Sequence, residues 1–276
     1  MVDYEQKPQY GIADLCEIVK LLRSPGGCPW DKEQNHTSIR NDFLEEAYEA
    51  VEAIDLLDMT LLREELGDVL LQVVFHCVLA EEEQAFDFEA VCDEICKKLI
   101  VRHPHVFGDV KAEDTDTVLK NWDAIKKETK GQETYADTLH SVAKSLPALT
   151  RAQKVGKRAA RAGMDFASTN DAFDCVRAER SELQAAIAAG DVAMMEEELG
   201  DLLFSCVNTA RHLGIDAEQA LTKATNKFID RFATAEQLVA ADGQEMPSLS
   251  IDELDEYWAK SKEAQRKSIR DEEKTV

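Results

Sequence analysis

The chain has 276 residues and carries 55 Asp and Glu against 32 Lys and Arg, a formal net charge of −23 that argues against a nucleic-acid partner, because phosphate backbones need a basic face. Glycine (12), proline (6) and aromatics (7%) are scarce, which disfavours a β-rich fold and points to long helices. The seven cysteines lack framework spacing and no apolar run nears membrane-spanning length, so a reduced, soluble, cytoplasmic protein with no membrane association is expected.

Apolar residues recur at helical period along most of the sequence. Ile12, Leu15, Ile18, Val19 and Leu22 mark a first helix, ended by Ser24-Pro25-Gly26-Gly27. A loop with Cys28-Pro29-Trp30-Asp31 follows, in which Trp30 reads as a cap on the core, with base stacking as the alternative. The next helix is expected over Ile39–Leu57, with Phe43, Ala47, Val51 and Ile54 inward, and another over Thr60–Glu82, unusually apolar through Val69–Phe75. A shorter helix near Phe88–Val101 ends before His103-Pro104. Its Cys92 and Cys96, with His103 and His105 nearby, raise the idea of zinc, but both cysteines fall on the apolar side, which favours packing. A helix around Thr117–Lys127 carries Trp122.

The second half repeats the plan, with helices expected near Ala143–Ala162, Asp171–Ala189, Val192–Leu213, Ala217–Leu238 and Ile251–Arg270. Gly190-Asp191 and Gly214-Ile215-Asp216 supply breaks between consecutive helices. The architecture is therefore all-α, a tandem duplication of a helical module, with residues 1–130 as one domain, 131–147 as a linker and 148–276 as the second domain.

The repeat carries a shared acidic signature. Glu45-Glu46-x-x-Glu49 precedes Glu65-Leu66-Gly67-Asp68, and Glu179-x-x-Glu182 precedes Glu198-Leu199-Gly200-Asp201, with sixteen positions from Glu49 to Glu65 and from Glu182 to Glu198. On a helix, positions i, i+1 and i+4 share one edge, and so do i and i+3. Antiparallel pairing through the turn near Asp58-Met59-Thr60 brings the edges of two helices face to face. Converged carboxylates repel one another unless cations intervene. Mg²⁺ takes one or two carboxylates together with phosphate oxygens, so the set is suited to holding ions and activating water against a phosphoryl group. Bound cations also reconcile an acidic protein with a polyphosphate ligand. The bland alternative is a solvated charged face, since about one residue in five is acidic. The doubled register and the apolar runs that follow at once, Val69-Leu70-Leu71 and Leu202-Leu203-Phe204, weigh against it. Gly67 and Gly200 are read as points of close approach for a helix or ligand.

Candidate phosphate ligands lie on the following helix, where Lys223, Lys227 and Arg231 recur at i, i+4 and i+8 with Asn226 beside them. Trp258 and Lys262, one turn apart, suit a base platform and a phosphate contact, with simple packing as the competing reading. In the first half, Lys97, Lys98, Arg102 and His103 hold the matching place. Gly156-Lys157 lacks the rest of a P-loop, and no Ser/His/Asp arrangement or dinucleotide fingerprint is present.

The motifs Gly27–Gln34, the four acidic clusters, Arg102–Asp109, Ala210–Gly214, Trp258 and Lys262 together closely resemble the MazG family of nucleoside triphosphate pyrophosphohydrolases in its two-domain form. The resemblance implies an all-α pyrophosphatase fold, four-helix-bundle packing in a homodimer, and Mg²⁺-dependent hydrolysis of NTPs and dNTPs to monophosphate and pyrophosphate. It also implies catalysis in the second repeat, with Glu179, Glu182, Glu198 and Asp201 as metal ligands and Asn226, Lys227, Asp230, Arg231, Trp258 and Lys262 at the nucleotide. Glu45, Glu46, Glu49, Glu65 and Asp68 are the corresponding metal ligands of the first repeat. One departure is Ala178, which stands where the first repeat has Glu45 and leaves open which half is catalytic. Two rival expectations are a helical nucleotide-sensing scaffold without turnover, and a narrower dUTP or phosphoribosyl-ATP pyrophosphohydrolase.

Overall fold

The computed structural model describes residue 2, residues 4–108 and residues 133–272, with side chains of the last helix through Arg266. The expected helix Thr117–Lys127, with Trp122, lies outside the described residues, as does Asp109. The described residues contain helices and no strand, and none of these helices is long and apolar enough to cross a membrane. The chain divides into two compact units, Met1–Lys126 and Lys127–Val276.

The first unit contains α1 (Ile12–Arg23), α2 (Pro29–Glu33), α3 (Arg40–Asp55), α4 (Met59–Glu82), α5 (Phe88–Arg102) and α6 (Pro104–Phe107). Its core is formed by Val19, Ile39, Val74, Phe75, Val78 and Leu79, with Leu15, Cys16, Leu71 and Phe88 packed around them. The mostly buried Arg23 side chain locks three elements together. Its guanidinium holds the Glu82 carboxylate at 2.7 Å, donates to the carbonyls of Asp31 and Gln34, and lies over the Phe75 ring. The hydrogen bond from Arg23 holds the Glu82 carboxyl below its usual range.

Four expectations need correction here. Residues 29–33 are helical, because Pro29 at the first position fixes its own φ and has no amide to leave unpaired. Trp30 on this helix is 57% exposed and caps nothing. On α3 the buried residues are Ala50 and Ala53, while Val51 and Ile54 face outward. The face turned toward α4 runs through Glu46, Ala50 and Ala53, one residue and so about 100° away from the expected stripe. On α5, Cys96 is exposed and Cys92 half-buried, so the apolar side expected to bury both does not, and no metal-type cluster involves either among the described residues.

The second unit contains α7 (Tyr135–His140), α8 (Ala148–Arg161), α9 (Thr169–Ala189), α10 (Val192–His212), α11 (Ala217–Ala241) and α12 (Ile251–Glu272). The stretch 131–147 thus holds a helix, and Arg158 of α8 donates to Thr138 O and Ser141 Oγ within it. Helix α8 starts only after Pro147, later than the expected Ala143, because a residue that precedes proline is pushed out of the α region. Gly156 is buried where α8 meets α10. A β-carbon there would stand 2.7 Å from Asn208 Oδ1 and 3.4 Å from Arg211 Nε, so glycine is what lets the helices meet. Arg211 and His212 both bond Asp165, and the bonds from Arg211 above all hold that carboxyl well below the usual carboxylate range. Helices α11 and α12 form a hairpin closed by Ala235, Val239 and Tyr257.

Each acidic helix pair turns on the same device. Asp58 caps α4 by accepting from the amides of Thr60 (2.9 Å) and Leu61 (3.0 Å), and Asp191 caps α10 through Ala193 (3.1 Å) and Met194 (3.2 Å). The residue before each cap is left-handed, Leu57 at φ 57° and Gly190 at φ 71°. Leu57→Gly is therefore expected to stabilise the protein by about 0.5–1 kcal/mol in urea unfolding, the left-handed penalty of ~1–2 kcal/mol less the entropy cost of glycine. Gly156→Ala is expected to destabilise it by roughly 1–3 kcal/mol in the same measurement, since the inserted methyl must push Asn208 aside.

Candidate metal centre

Antiparallel packing of α3 on α4, and of α9 on α10, converges acids from four separate sequence clusters into two sites. In the first unit Glu46, Glu49 and Glu65 each offer an oxygen, all within 4.8 Å of one another; in the second, Glu179, Glu182 and Glu198 do the same. Glu46 and Glu179, Glu49 and Glu182, Glu65 and Glu198, and Asp68 and Asp201 are each separated by 133 positions, so the sites are built from equivalent residues. Burial matches as well, with the first and third acid of each trio half-buried and the second exposed.

The electrostatics register the crowding. Burial, reinforced by Asp68, Glu49, Glu65 and Glu45 in that order, pushes the Glu46 carboxyl above its ordinary pKa. Glu65 is raised by burial, then by Glu49 and Asp68, and by a hydrogen bond with Glu49. In the second unit Glu198 is raised by burial and then by Glu182, Glu179 and Asp201. Asp68 and Asp201 thus sit beside the trios and within reach of their charge. The all-oxygen donor set, the close spacing and the raised proton affinity fit a hard divalent cation, which would lift the repulsion that a proton otherwise relieves.

Ala178 replaces an acid that stands apart from the trio of the first unit. Its counterpart Glu45 is exposed, lies outside the converging trio, and is the last of the like charges acting on Glu46. Both trios are complete without it. Among the described residues, no other helix of this chain comes close to Gly67 or Gly200, since a β-carbon at either would meet nothing within 4 Å.

The residues proposed for the nucleotide lie on α11 and α12. Lys262 Nζ stands 5.8 Å from the centroid of the Trp258 ring, which also packs against Phe228 at 5.0 Å. Arg231 Nε donates to Gln265 Oε1 at 2.9 Å, tying α11 to α12. Asn226, Lys227 and Asp230 are exposed on α11. In the first unit Lys97 and Lys98 form ion pairs along their own helix, with Asp93 (2.5 Å) and Glu94 (3.3 Å), and His103 Nδ1 meets Leu99 O at 2.7 Å. Three of the basic groups expected at the matching place are thus engaged locally. The sequence reading passed over Cys175 and Ser205, which flank the second trio; their signal was spacing, one turn before Glu179 and one turn after Asp201.

Fold and site together define a class, a tandem all-α protein with a carboxylate trio between each antiparallel helix pair. A family model described as the MazG nucleotide pyrophosphohydrolase domain matches residues 34–107 and 168–234, the segments that carry the two trios. The chain is 46% identical over 254 residues to the nucleoside triphosphate pyrophosphohydrolase of Escherichia coli (strain K12), covering 91% of this chain and 97% of that protein. It is 43% identical over 249 residues to the nucleoside triphosphate pyrophosphohydrolase/pyrophosphatase MazG of Thermotoga maritima, covering 90% and 94%. A Mycobacterium tuberculosis nucleoside triphosphate pyrophosphohydrolase is 33% identical over 233 residues, covering 83% of this chain and 59% of that protein. The chain belongs to the MazG family.

The raised carboxyls set a pH dependence. Ionising Glu198 costs more in the folded chain than in the unfolded one, so its destabilising effect is absent below the ordinary value of 4.5 and complete above the raised one. Without divalent cation, Glu198→Gln is expected to gain melting temperature relative to the unmodified protein as pH rises from about 4 to about 7. Millimolar Mg²⁺ should cancel or reverse that gain; a difference independent of pH would contradict the assigned repulsion.

Proposed function

We propose that this protein is a nucleoside triphosphate pyrophosphohydrolase. Water adds across the bond between the α- and β-phosphates of an NTP or dNTP, releasing nucleoside monophosphate and pyrophosphate and clearing nucleotides from the pool. The observation that carries the reading is the pair of carboxylate trios, two acids of each half-buried and one exposed, each spanning one antiparallel helix pair. Each trio draws on two sequence clusters, and both stand at one spacing at the mouth of apolar helices.

In the second unit, Glu179, Glu182 and Glu198 would hold Mg²⁺ with Asp201 beside them, and in the first unit Glu46, Glu49 and Glu65 with Asp68. When bound, Mg²⁺ neutralises the carboxylates and polarises phosphate oxygens. The fixed helix pair contributes a preformed array of oxygens, so that the triphosphate is oriented without reorganising the backbone. Lys227 and Lys262 supply positive charge for phosphate oxygens, Asn226 and Asp230 supply hydrogen-bonding groups, and the Trp258 ring supplies a stacking surface. Arg231 holds the hairpin that carries them.

The protein is proposed to act as a homodimer in the cytoplasm. Apolar residues stand outward on both units, among them Leu44, Tyr48, Val51 and Ile54 on α3 and Leu221, Phe228, Ile229 and Phe232 on α11. A second copy covering them would bury large apolar side chains at a favourable ~25 cal/mol per Å². The cysteines are free thiols, as a reducing compartment requires.

Incubation with ATP or dCTP and Mg²⁺ tests the activity directly, with monophosphate and pyrophosphate expected in equal amounts. Their absence across a panel of nucleotides would favour a sensing scaffold, and release from dUTP or phosphoribosyl-ATP alone would narrow the substrate. Glu198→Ala with Asp201→Ala is expected to lower kcat by roughly 10²-fold or more, whereas Glu65→Ala with Asp68→Ala should have the smaller effect. The reverse ranking would move catalysis to the first unit.

A further inference from the structure

The two carboxylate trios match position for position, but the groups behind them differ. Cys175 precedes Glu179 by one turn of α9, and its Sγ lies 3.5 Å from Glu179 Oε1. The same sulfur is 3.4 Å from the Oγ of Ser205 on α10, a residue only 4% exposed. A carboxylate has no hydrogen to give, so the Cys175 thiol donates to Glu179, and the Ser205 hydroxyl is left to donate to the sulfur. The relay therefore crosses from α10 to α9 and ends on one member of the trio. In the first unit the positions 133 residues earlier are Asp42 and Gln72. An ionised Asp42 donates nothing, and Gln72 Oε1 is buried without a hydrogen-bond partner.

We propose that Cys175, backed by Ser205, is a positioning residue that orients Glu179 for a divalent cation, and that this support exists in the second unit and not in the first. A carboxylate free to rotate must lose that freedom when it binds an ion. One whose Oε1 is already engaged has lost part of it beforehand, and Glu179 offers an oxygen within 4.8 Å of those of Glu182 and Glu198. Ligating carboxylates depend on such partners, whose removal typically weakens metal binding by about 10–100-fold. A thiol is a weak donor, so the effect here is set lower, at about threefold to tenfold. The proposal rests on the cation reading given above.

The test is Mn²⁺ binding to the full-length, nucleotide-free protein by calorimetry, in a Glu65→Gln/Asp68→Asn background that silences the first trio. Melting temperature and the Mg²⁺ dependence of hydrolysis are measured alongside. Cys175→Ala is expected to weaken Mn²⁺ binding by about threefold to tenfold and to raise the Mg²⁺ half-saturation by the same factor, with kcat at saturating Mg²⁺ nearly unchanged. Cys175→Ser, which keeps a donor, should restore most of the affinity, and Ser205→Ala should fall between. Unchanged affinity in Cys175→Ala, whatever its melting temperature, would overturn the proposal, and so would equal losses in Cys175→Ala and Cys175→Ser. If the background protein with Cys175 intact takes up no Mn²⁺, the cation reading of the second trio fails, and the proposal with it.

Discussion

Like charges forced together between packed helices are the constraint on which the rest of this structure depends. A Glu on a solvated face costs little, but Glu46, Glu65 and Glu198 are half-buried, and each is held close to two or more other carboxylates. Helix packing alone would expel such groups, because burial and repulsion both penalise the ionised form. The fold instead spends part of its stability to hold them in register, with an aspartate cap at each turn and small residues, Ala50, Ala53 and Ala186, where the helices meet. A hard cation would turn this penalty into affinity, and the same cation would let an acidic protein approach a triphosphate.

Duplication multiplies the device without copying its surroundings. Equivalent acids recur at one offset and both caps are aspartate. Even so, the first unit tolerates a left-handed Leu57 where the second has Gly190, and its core is built on Val74, Phe75, Val78 and Leu79, whereas the corresponding stretch of α10 buries Ser205, Val207 and Asn208. Behind the second trio Ser205 meets Cys175, which reaches Glu179, whereas at the matching positions of the first unit Gln72 leaves its buried Oε1 without a partner and Asp42 has no thiol to donate. This is the physical basis for expecting the two trios to differ in cation affinity although their ligands match.

Much of this was legible in the sequence. Among the described residues, apolar period gave the order of the long helices, and the recurring acids announced both pairs, because spacing along a helix translates directly into a shared edge. What was not legible depended on helix rotation and on partners. Glu45 and Glu46 are about 100° apart, and only the packing of α3 on α4 decides that Glu46 turns inward while Glu45 faces solvent. The same rotation exposes Val51 and Ile54, which a single-helix reading assigned to the core. Trp30 likewise lies on the surface because a short proline-initiated helix carries it there. The link between Cys175 and Ser205 spans two helices, and no pattern within either one reveals it.

The claim at the centre is that each trio is a cation site. The most direct measurement is anomalous diffraction from crystals grown with Mn²⁺. This account predicts a peak bounded by Glu179, Glu182 and Glu198 and a second bounded by Glu46, Glu49 and Glu65, with the carboxylate oxygens turned toward it. Ordered side chains with no anomalous density at either trio, or Mn²⁺ bound elsewhere with both trios empty, would contradict it.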